Sequence, residues 1–545
     1  MGNLGSWSKE SLALYDFLTA KLSVCAEEDK SNYKKLLSLI EERQYGLVYE
    51  EHEEEYDKLK DDRLPVFLEC PDKDLVYDEA ADYNFLIEGD NLHSLSLLNK
   101  IYANRVNVIY IDPPYNTKSS DLTYYDRRID FTDKFKHSNW LSFMYRRLVL
   151  ARELLADDGV LFISIDDNEQ AQLKLLCDSV FGESNFIGSC VRKVQSRKNS
   201  TKLNFSREHE WLLVYAKQIS SVRFIGEEKD YSEYGNPDND PNGDWRSSDP
   251  TAKGTEERAR FIIKNPYTGQ EDLPPKGRVW AFSKQSLEEY IKTGKIKFRK
   301  DIQKSRRGFV YKTYKKDLKS STMGLSSLEY VDTLFMNSCG TKELNDILLD
   351  NTFSFPKPLY FIKSVLKKCR KDALVLDFFA GSGTTGQAVL ELNKEDGGNR
   401  RFILCTNNEA EICERVAYER LKTVITGKRS DGSVYSVGLS ANLKYLRCEF
   451  ADELMSEYCE ALVDLDTFGN CKRFKDKLVF ILCEADIEVV ESMSLEKKQE
   501  CLLLYYNKAL NIDEGLLDDF RVYGTVIKDI DWSMEFKTGG YINVS

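Results

Sequence analysis

Two short stretches carry residues whose types and spacing suit chemistry. At 110–117 the chain reads "YIDPPYNT". The apolar run "VNVIYI" before Asp112 reads as a buried parallel strand, and Pro113 and Pro114 stop its ladder and fix the backbone. The result is a rigid shelf at a strand's carboxyl end, offering a carboxylate, fixed carbonyls and the aromatic ring of Tyr115. Ligands of open α/β sheets bind at such ends. Taken alone, the same residues fit a surface turn equally well.

The second stretch, "VLDFFAGSGTTGQAV" at 375–389, is a strand running through a glycine-rich turn into a helix. Gly381, Gly383 and Gly386 fit G-x-G-x-x-G, which lets backbone approach a ligand at a helix N-terminus. No Lys-Ser/Thr follows, so this is not a Walker A loop. A dinucleotide remains open at this point. Asp377 before the glycines and Thr384-Thr385 after them would also suit the charged amino-acid end of S-adenosylmethionine, the carboxylate facing its ammonium and the loop its carboxylate.

The elements that must position these stretches alternate. "NFLIEGD", the helical "NLHSLSLLNKIYANR", "VNVIYIDPPY", the amphipathic "NWLSFMYRRLVLARELLADDG" and "VLFISID" describe a parallel sheet with crossover helices. The pattern lapses after about residue 190 and resumes with "DALVLDFF" and "RRFILCTNNE". This divides the chain into a helical, acidic segment over 1–75 that packs on a partner or a second copy, a catalytic half over 76–190, an insert over 191–335, a cofactor half over 336–445 and a mixed C-terminal segment over 446–545.

Composition narrows the class. The 545 residues are 42% hydrophobic and 31% charged, without an apolar run long enough for a membrane span or a secretory leader. Thirteen cysteines and no C-x-x-C pair argue against disulfides and a zinc ribbon, and four scattered histidines form no ligand motif. A cytosolic chain without a metal is expected. The net charge is −13, yet Lys276 to Lys319 holds 15 Lys or Arg against four Asp or Glu. That segregated basic charge points to nucleic acid, and Arg306 and Arg307 are its candidate DNA contacts. Most aromatics of the insert, such as Trp280, Phe309 and Tyr314, read as a small core.

Together with "LIEGDNLHSL", "HSNWLSFMYRRL", "GVLFISIDDNE", "FSREHEWLLVYAK" and "FSFPKPLYFIKSVL", the two stretches make the chain resemble the amino-methyltransferases of DNA. The similarity is greatest to the modification subunits of type III restriction–modification systems, and it covers all but about the last hundred residues. Catalytic motif before cofactor loop, with an insert between, matches the circularly permuted β class. The resemblance implies a Rossmann-like α/β methyltransferase sheet with an inserted target-recognition domain, S-adenosylmethionine as cofactor, and adenine N6 as target, since Asp in the first motif position goes with adenine.

It further implies that Asp112, Pro113, Pro114 and Tyr115 act on a flipped-out base, Asp112 also bordering the cofactor. Asp377, Phe379, Ala380, Gly381, Gly383 and Thr384 would line the cofactor's methionine end, and Phe355, Lys357 and Pro358 a flanking wall. Asp90 and Asn91 would lie near its adenine, Asp90 also capping a helix, and Glu409 would hold the ribose. The implied partners are double-stranded DNA with a specific sequence, a second copy of the chain and a separate restriction subunit, in the prokaryotic cytosol on the nucleoid. The alternatives are a noncatalytic DNA-binding component and an NAD-dependent oxidoreductase, and, within the resemblance itself, an orphan adenine methyltransferase without a restriction partner or a cytosine-N4 methyltransferase. An intact Asp112 speaks against the first, and the shelf and basic insert against the second.

Overall fold

The computed structural model describes residues 17–22, 30, 33, 54, 63–117, 136–196, 205–301, 307–318, 320–350, 353–451, 456–469 and 477–530. The chain separates into two compact units, one of residues 1–224 with 326–545 and one of Ile225–Leu325.

The larger unit is built on nine strands: β1 Leu64–Glu69, β2 Tyr83–Glu88, β3 Val106–Ile111, β4 Leu155–Ile165, β5 Phe186–Lys193, β6 His209–Ala216, β7 Leu374–Asp377, β8 Arg401–Thr406 and β9 Asn442–Ala451. Their order is β1-β9-β2-β8-β7-β3-β4-β6-β5. The six strands from β9 to β4 are parallel, and β1, β6 and β5 add antiparallel margins.

The strands read as apolar throughout because both faces are covered. Ile109 and Ile111, Leu374 and Leu376, and Ile403 and Cys405 share one core with helices α1 (Asn91–Tyr102), α2 (Lys136–Leu154), α3 (Gln170–Phe181) and α8 (Ser456–Asp466). Val108 and Tyr110, Val375, and Phe402 and Leu404 face a second core with α4 (Asn337–Leu348), α5 (Leu359–Leu366), α6 (Thr384–Asp396) and α7 (Glu419–Thr426). The larger unit is therefore a doubly wound, Rossmann-like α/β sandwich. Among the described residues, no helix is long and apolar enough to cross a membrane.

Several boundaries differ from the sequence reading. The segment 1–75 reads as helical, but its described end forms strand β1, because "LPVFLE" pairs with β9. The boundary at 446 falls inside β9. Downstream, α8 packs on the main sheet, and Leu478–Ile481, Leu503–Asn507 and Val526–Ile530 form a small parallel sheet. The insert is narrower than 191–335, since β5 and β6 return to the main sheet.

Ile225–Leu325 has its own core of Ile263, Trp280, Phe282, Ile296 and Phe309, beside the strands Ile296–Phe298, Phe309–Tyr314 and Trp245–Ser247. The aromatics of this stretch serve packing where they are buried, while Tyr267 is exposed.

Candidate active site

The two chemical stretches meet on neighbouring strands. β7 pairs in parallel with β3 through Val375 opposite Val108 and Leu376 opposite Ile109. From β7 the chain crosses through α6 to β8 on one side; from β3 it crosses through α2 to β4 on the other. This is the topological switch point, where the crevice of such sheets opens. Asp90, Glu409, Asp377 and Asp112 follow or end four consecutive parallel strands, β2, β8, β7 and β3.

The shelf is fixed from several sides. The Trp140 indole donates to the Pro114 carbonyl at 2.7 Å. Asn116 takes a left-handed φ of 55°, and its amide donates to the fully buried Glu169, whose Oε1 also lies 2.6 Å from His137 Nδ1. The carbonyl of the buried Pro113 accepts no hydrogen bond among the described residues.

Asp112 is already engaged. The Tyr115 hydroxyl donates to its Oδ1 at 2.8 Å, and Lys357 Nζ stands 2.7 Å from its Oδ2. Lys357 also donates to the Tyr115 oxygen at 2.8 Å and lies 3.7 Å from Glu210 Oε2. Burial works against charge on Glu210, but Lys357 and Arg192 outweigh it and hold its pKa at about 2. Burial, then the carboxylates of Asp112 and Glu210, push the Tyr115 phenol well up, which keeps it a donor.

Lys357 is thus placed at the Asp112 carboxylate. Its segment is set by α4: a Cβ on Gly340 would stand 2.3 Å from the Pro356 carbonyl oxygen and 2.9 Å from the Lys357 carbonyl carbon. Only glycine lets the helix and the Pro356–Pro358 run come this close.

The glycine loop is buried from Asp377 through Thr385. Asp377 Oδ2 accepts from the Thr385 hydroxyl at 2.5 Å and Oδ1 from the Phe379 N–H at 3.1 Å. Burial pushes this carboxyl up to about 7, and the charge of Asp112 adds to the effect. Gly383, at φ 73°, caps α6 without a side-chain hydrogen bond, leaving the first-turn N–H groups uncapped by it. Arg420 is fully buried behind the loop and donates to Thr384 Oγ1 at 2.6 Å; burial lowers its pKa to about 10.

The remaining expected residues divide. Asn91 ties α1 to the loop, its amide donating to the Phe378 carbonyl at 2.9 Å. Asp90 caps α1 through Leu92 N at 2.8 Å. Arg147, itself paired with both oxygens of Glu54 at 2.9 and 3.0 Å, braces Asn91 and reaches Asp90. Phe379 and Ala380 are buried within the loop, and Pro358 precedes α5. Phe355 is exposed, and the ring nearest Gly381 is that of Phe353, 3.3 Å from where a Cβ would lie. Glu409 sits half-buried in a turn after β8.

Arg306 lies outside the described residues. Arg307 is held within the smaller unit, where its guanidinium pairs with Asp249 at 3.1 Å.

Residues 106–419, more than half of the chain, match the family model described as DNA methylase. The chain belongs to the DNA methylase family. Its relatives include the type III restriction-modification enzyme StyLTI Mod subunit of Salmonella typhimurium, 34% identical over 425 residues, which cover 71% of this chain and 62% of that protein. The EcoPI Mod subunit of Escherichia phage P1 is 35% identical over 390 residues, covering 62% of this chain and 59% of that protein. The type II methyltransferase M.KpnI of Klebsiella pneumoniae is 34% identical over 357 residues, covering 61% and 82%. The chain thus matches about three fifths of the length of the two Mod subunits.

Sequence reasoning missed Arg192, Glu210, Glu169, Asn116 and Gly340. A signal exists for two of them. Arg192 and Glu210 are charged residues in the otherwise strand-like "FIGSCVRK" and "HEWLLVYA", and a buried strand keeps a charge only where a partner meets it.

Proposed function

We propose that the chain is a site-specific DNA methyltransferase that moves a methyl group from S-adenosylmethionine to N6 of an adenine turned out of the duplex, as the modification subunit of a type III restriction–modification system. The observation that carries this reading is the Asp377 loop and the Asp112 shelf on adjacent parallel strands. The cofactor fits the residues present. Asp377 is a buried carboxylate that meets a hydroxyl and an N–H but no cation among the described residues, so an ammonium would complete it. The uncapped first turn of α6 suits a carboxylate. When bound, the cofactor supplies an electrophilic methyl group on a sulfonium.

The chain's own residues supply the rest. The adenine amine is a poor nucleophile because its lone pair is delocalised into the ring. Asp112 Oδ and the Pro113 carbonyl can each accept one N–H, drawing the nitrogen toward tetrahedral geometry and balancing the positive charge it gains. The two prolines hold these acceptors still, and such orientation is worth about 7–11 kcal/mol in favourable cases. The Tyr115 ring offers the base a platform worth about 1–3 kcal/mol. Flipping is required because the target atom is inaccessible inside a duplex.

The deciding experiment incubates the chain with double-stranded DNA and labelled S-adenosylmethionine, and identifies the modified nucleoside by mass spectrometry. N6-methyladenine is expected. Asp112→Ala should abolish it while leaving cofactor affinity within about twofold, because the cofactor's charged end is held on the neighbouring strand. N4-methylcytosine as product, or near wild-type activity in the variant, would overturn the reading. The proposal includes a homodimer, which light scattering should report at twice 62.9 kDa, and a separate restriction subunit for cleavage.

A further inference from the structure

Two donors and two carboxylates meet beside the shelf. The Lys357 ammonium reaches Asp112 Oδ2 at 2.7 Å and Glu210 Oε2 at 3.7 Å. The Tyr115 hydroxyl reaches Asp112 Oδ1 at 2.8 Å and the same Glu210 oxygen at 3.1 Å. A phenol has one proton to donate, so it serves one carboxylate at a time. Each Asp112 oxygen already holds one donor, one of them a cation, at the place where an incoming amine must find an acceptor.

Glu210 offers the alternative. Arg192, itself buried, donates to Glu210 Oε2 at 2.6 Å and is anchored by the Phe335 carbonyl at 2.6 Å and Asn337 Oδ1 at 2.7 Å. The second carboxylate is therefore held in place, and its charge is balanced from behind.

We propose that Glu210 is a positioning residue for methyl transfer: when the target amine reaches Asp112, the Lys357 ammonium and the Tyr115 hydroxyl pass to Glu210. The inference rests on Asp112 being the amine's acceptor, as proposed above. No covalent bond or proton changes owner in the step. The ammonium keeps its three protons and the phenol its one, and each exchanges one carboxylate for another. Two consequences follow. An Asp112 oxygen is freed for the N–H, and the fixed positive charge moves away from the nitrogen on which positive charge grows.

Glu210→Gln keeps the shape and an acceptor oxygen but removes the charge that draws Lys357 off Asp112. Its kcat should fall roughly ten- to hundredfold, the size of one lost charge-assisted hydrogen bond in the transition state, with affinities for S-adenosylmethionine and target DNA within about twofold. Adding Lys357→Gln should restore part of the loss, since no ammonium then competes for Asp112. A Glu210→Gln enzyme with wild-type kcat, or a double variant whose loss is the product of the single losses, overturns the proposal.

A crystal structure of the wild-type enzyme with sinefungin and target DNA tests it without any variant. Lys357 Nζ should lie nearer Glu210 than Asp112, and an ammonium still on Asp112 beside the bound amine overturns it. A wild-type enzyme that methylates no amino base refutes the proposed function and this inference together. One that methylates while Glu210→Gln is unimpaired refutes only the inference.

Discussion

On the proposed function, Asp377 makes cofactor binding proton-linked. The side chain is 2% exposed, and burial moves its pKa from an ordinary 3.8 to about 7. A carboxyl with a raised folded pKa binds its proton more tightly in the folded chain. Its stabilising contribution is whole below the ordinary value and is lost as pH rises toward 7. Above that, the buried charge costs the ligand-free protein on the order of 4 kcal/mol at most. An ammonium arriving beside it reverses the preference. Binding of S-adenosylmethionine should then release protons at pH values below about 7, where Asp377 is mostly protonated in the ligand-free protein, and Kd should rise as pH falls through that range. Titration calorimetry in buffers of different protonation enthalpy measures both quantities. Asp377→Asn should bind weakly, exchange no proton, and melt higher than wild type at neutral pH without ligand. A wild-type Kd that is flat from about pH 5.5 to 7.5, with no proton exchanged at pH 6, would refute the assignment of Asp377 to the ammonium.

Gly340→Ala sets a methyl group 2.3 Å from the Pro356 carbonyl oxygen; it should cost about 1–3 kcal/mol of stability and lower kcat by displacing Lys357, read from melting temperature and initial rate. An unchanged rate would show that α4 does not set the position of Lys357. Replacing the exposed Lys276, Lys284, Lys292 and Lys300 by Gln should weaken DNA binding and flatten its salt dependence by about 0.9 for each phosphate left without its lysine. Arg307→Gln alone should do less, since that guanidinium already serves Asp249. An unchanged slope in the lysine variant would take DNA off that part of the smaller unit.

What the sequence discloses is what local chemistry dictates. The apolar run before Asp112, the Pro-Pro stop, the glycines after Asp377 and the alternation of strand and helix are readable because each acts over a few residues. Their meeting is also inferable, since a switch point is where such ends converge. The charged pair behind the shelf is another matter. Glu210 is a carboxylate in an apolar strand, and nothing nearby in sequence names Arg192 or Lys357 as its partners; the β5–β6 pairing and the approach of α4 do so. Lys357 is legible as a candidate but not as Asp112's partner, and the left-handed turn at Phe355, φ 57°, leaves no mark in the sequence. Strand β1 is hidden for a similar reason: its partner β9 lies almost four hundred residues away.

The strand order also has a consequence during synthesis. β2 and β3 are consecutive in the chain, yet β8 and β7 stand between them in the finished sheet, and β2's other neighbour, β9, is made later still. While the ribosome translates the stretch from β3 to β8, β2 has no hydrogen-bonded neighbour and β3 has one open edge. At ordinary elongation rates that interval lasts roughly 15–60 s. Exposed edges of this kind template association with other chains. A truncation before residue 374, which leaves these edges open, should aggregate instead of yielding a stable fragment, as size-exclusion of the soluble fraction would show.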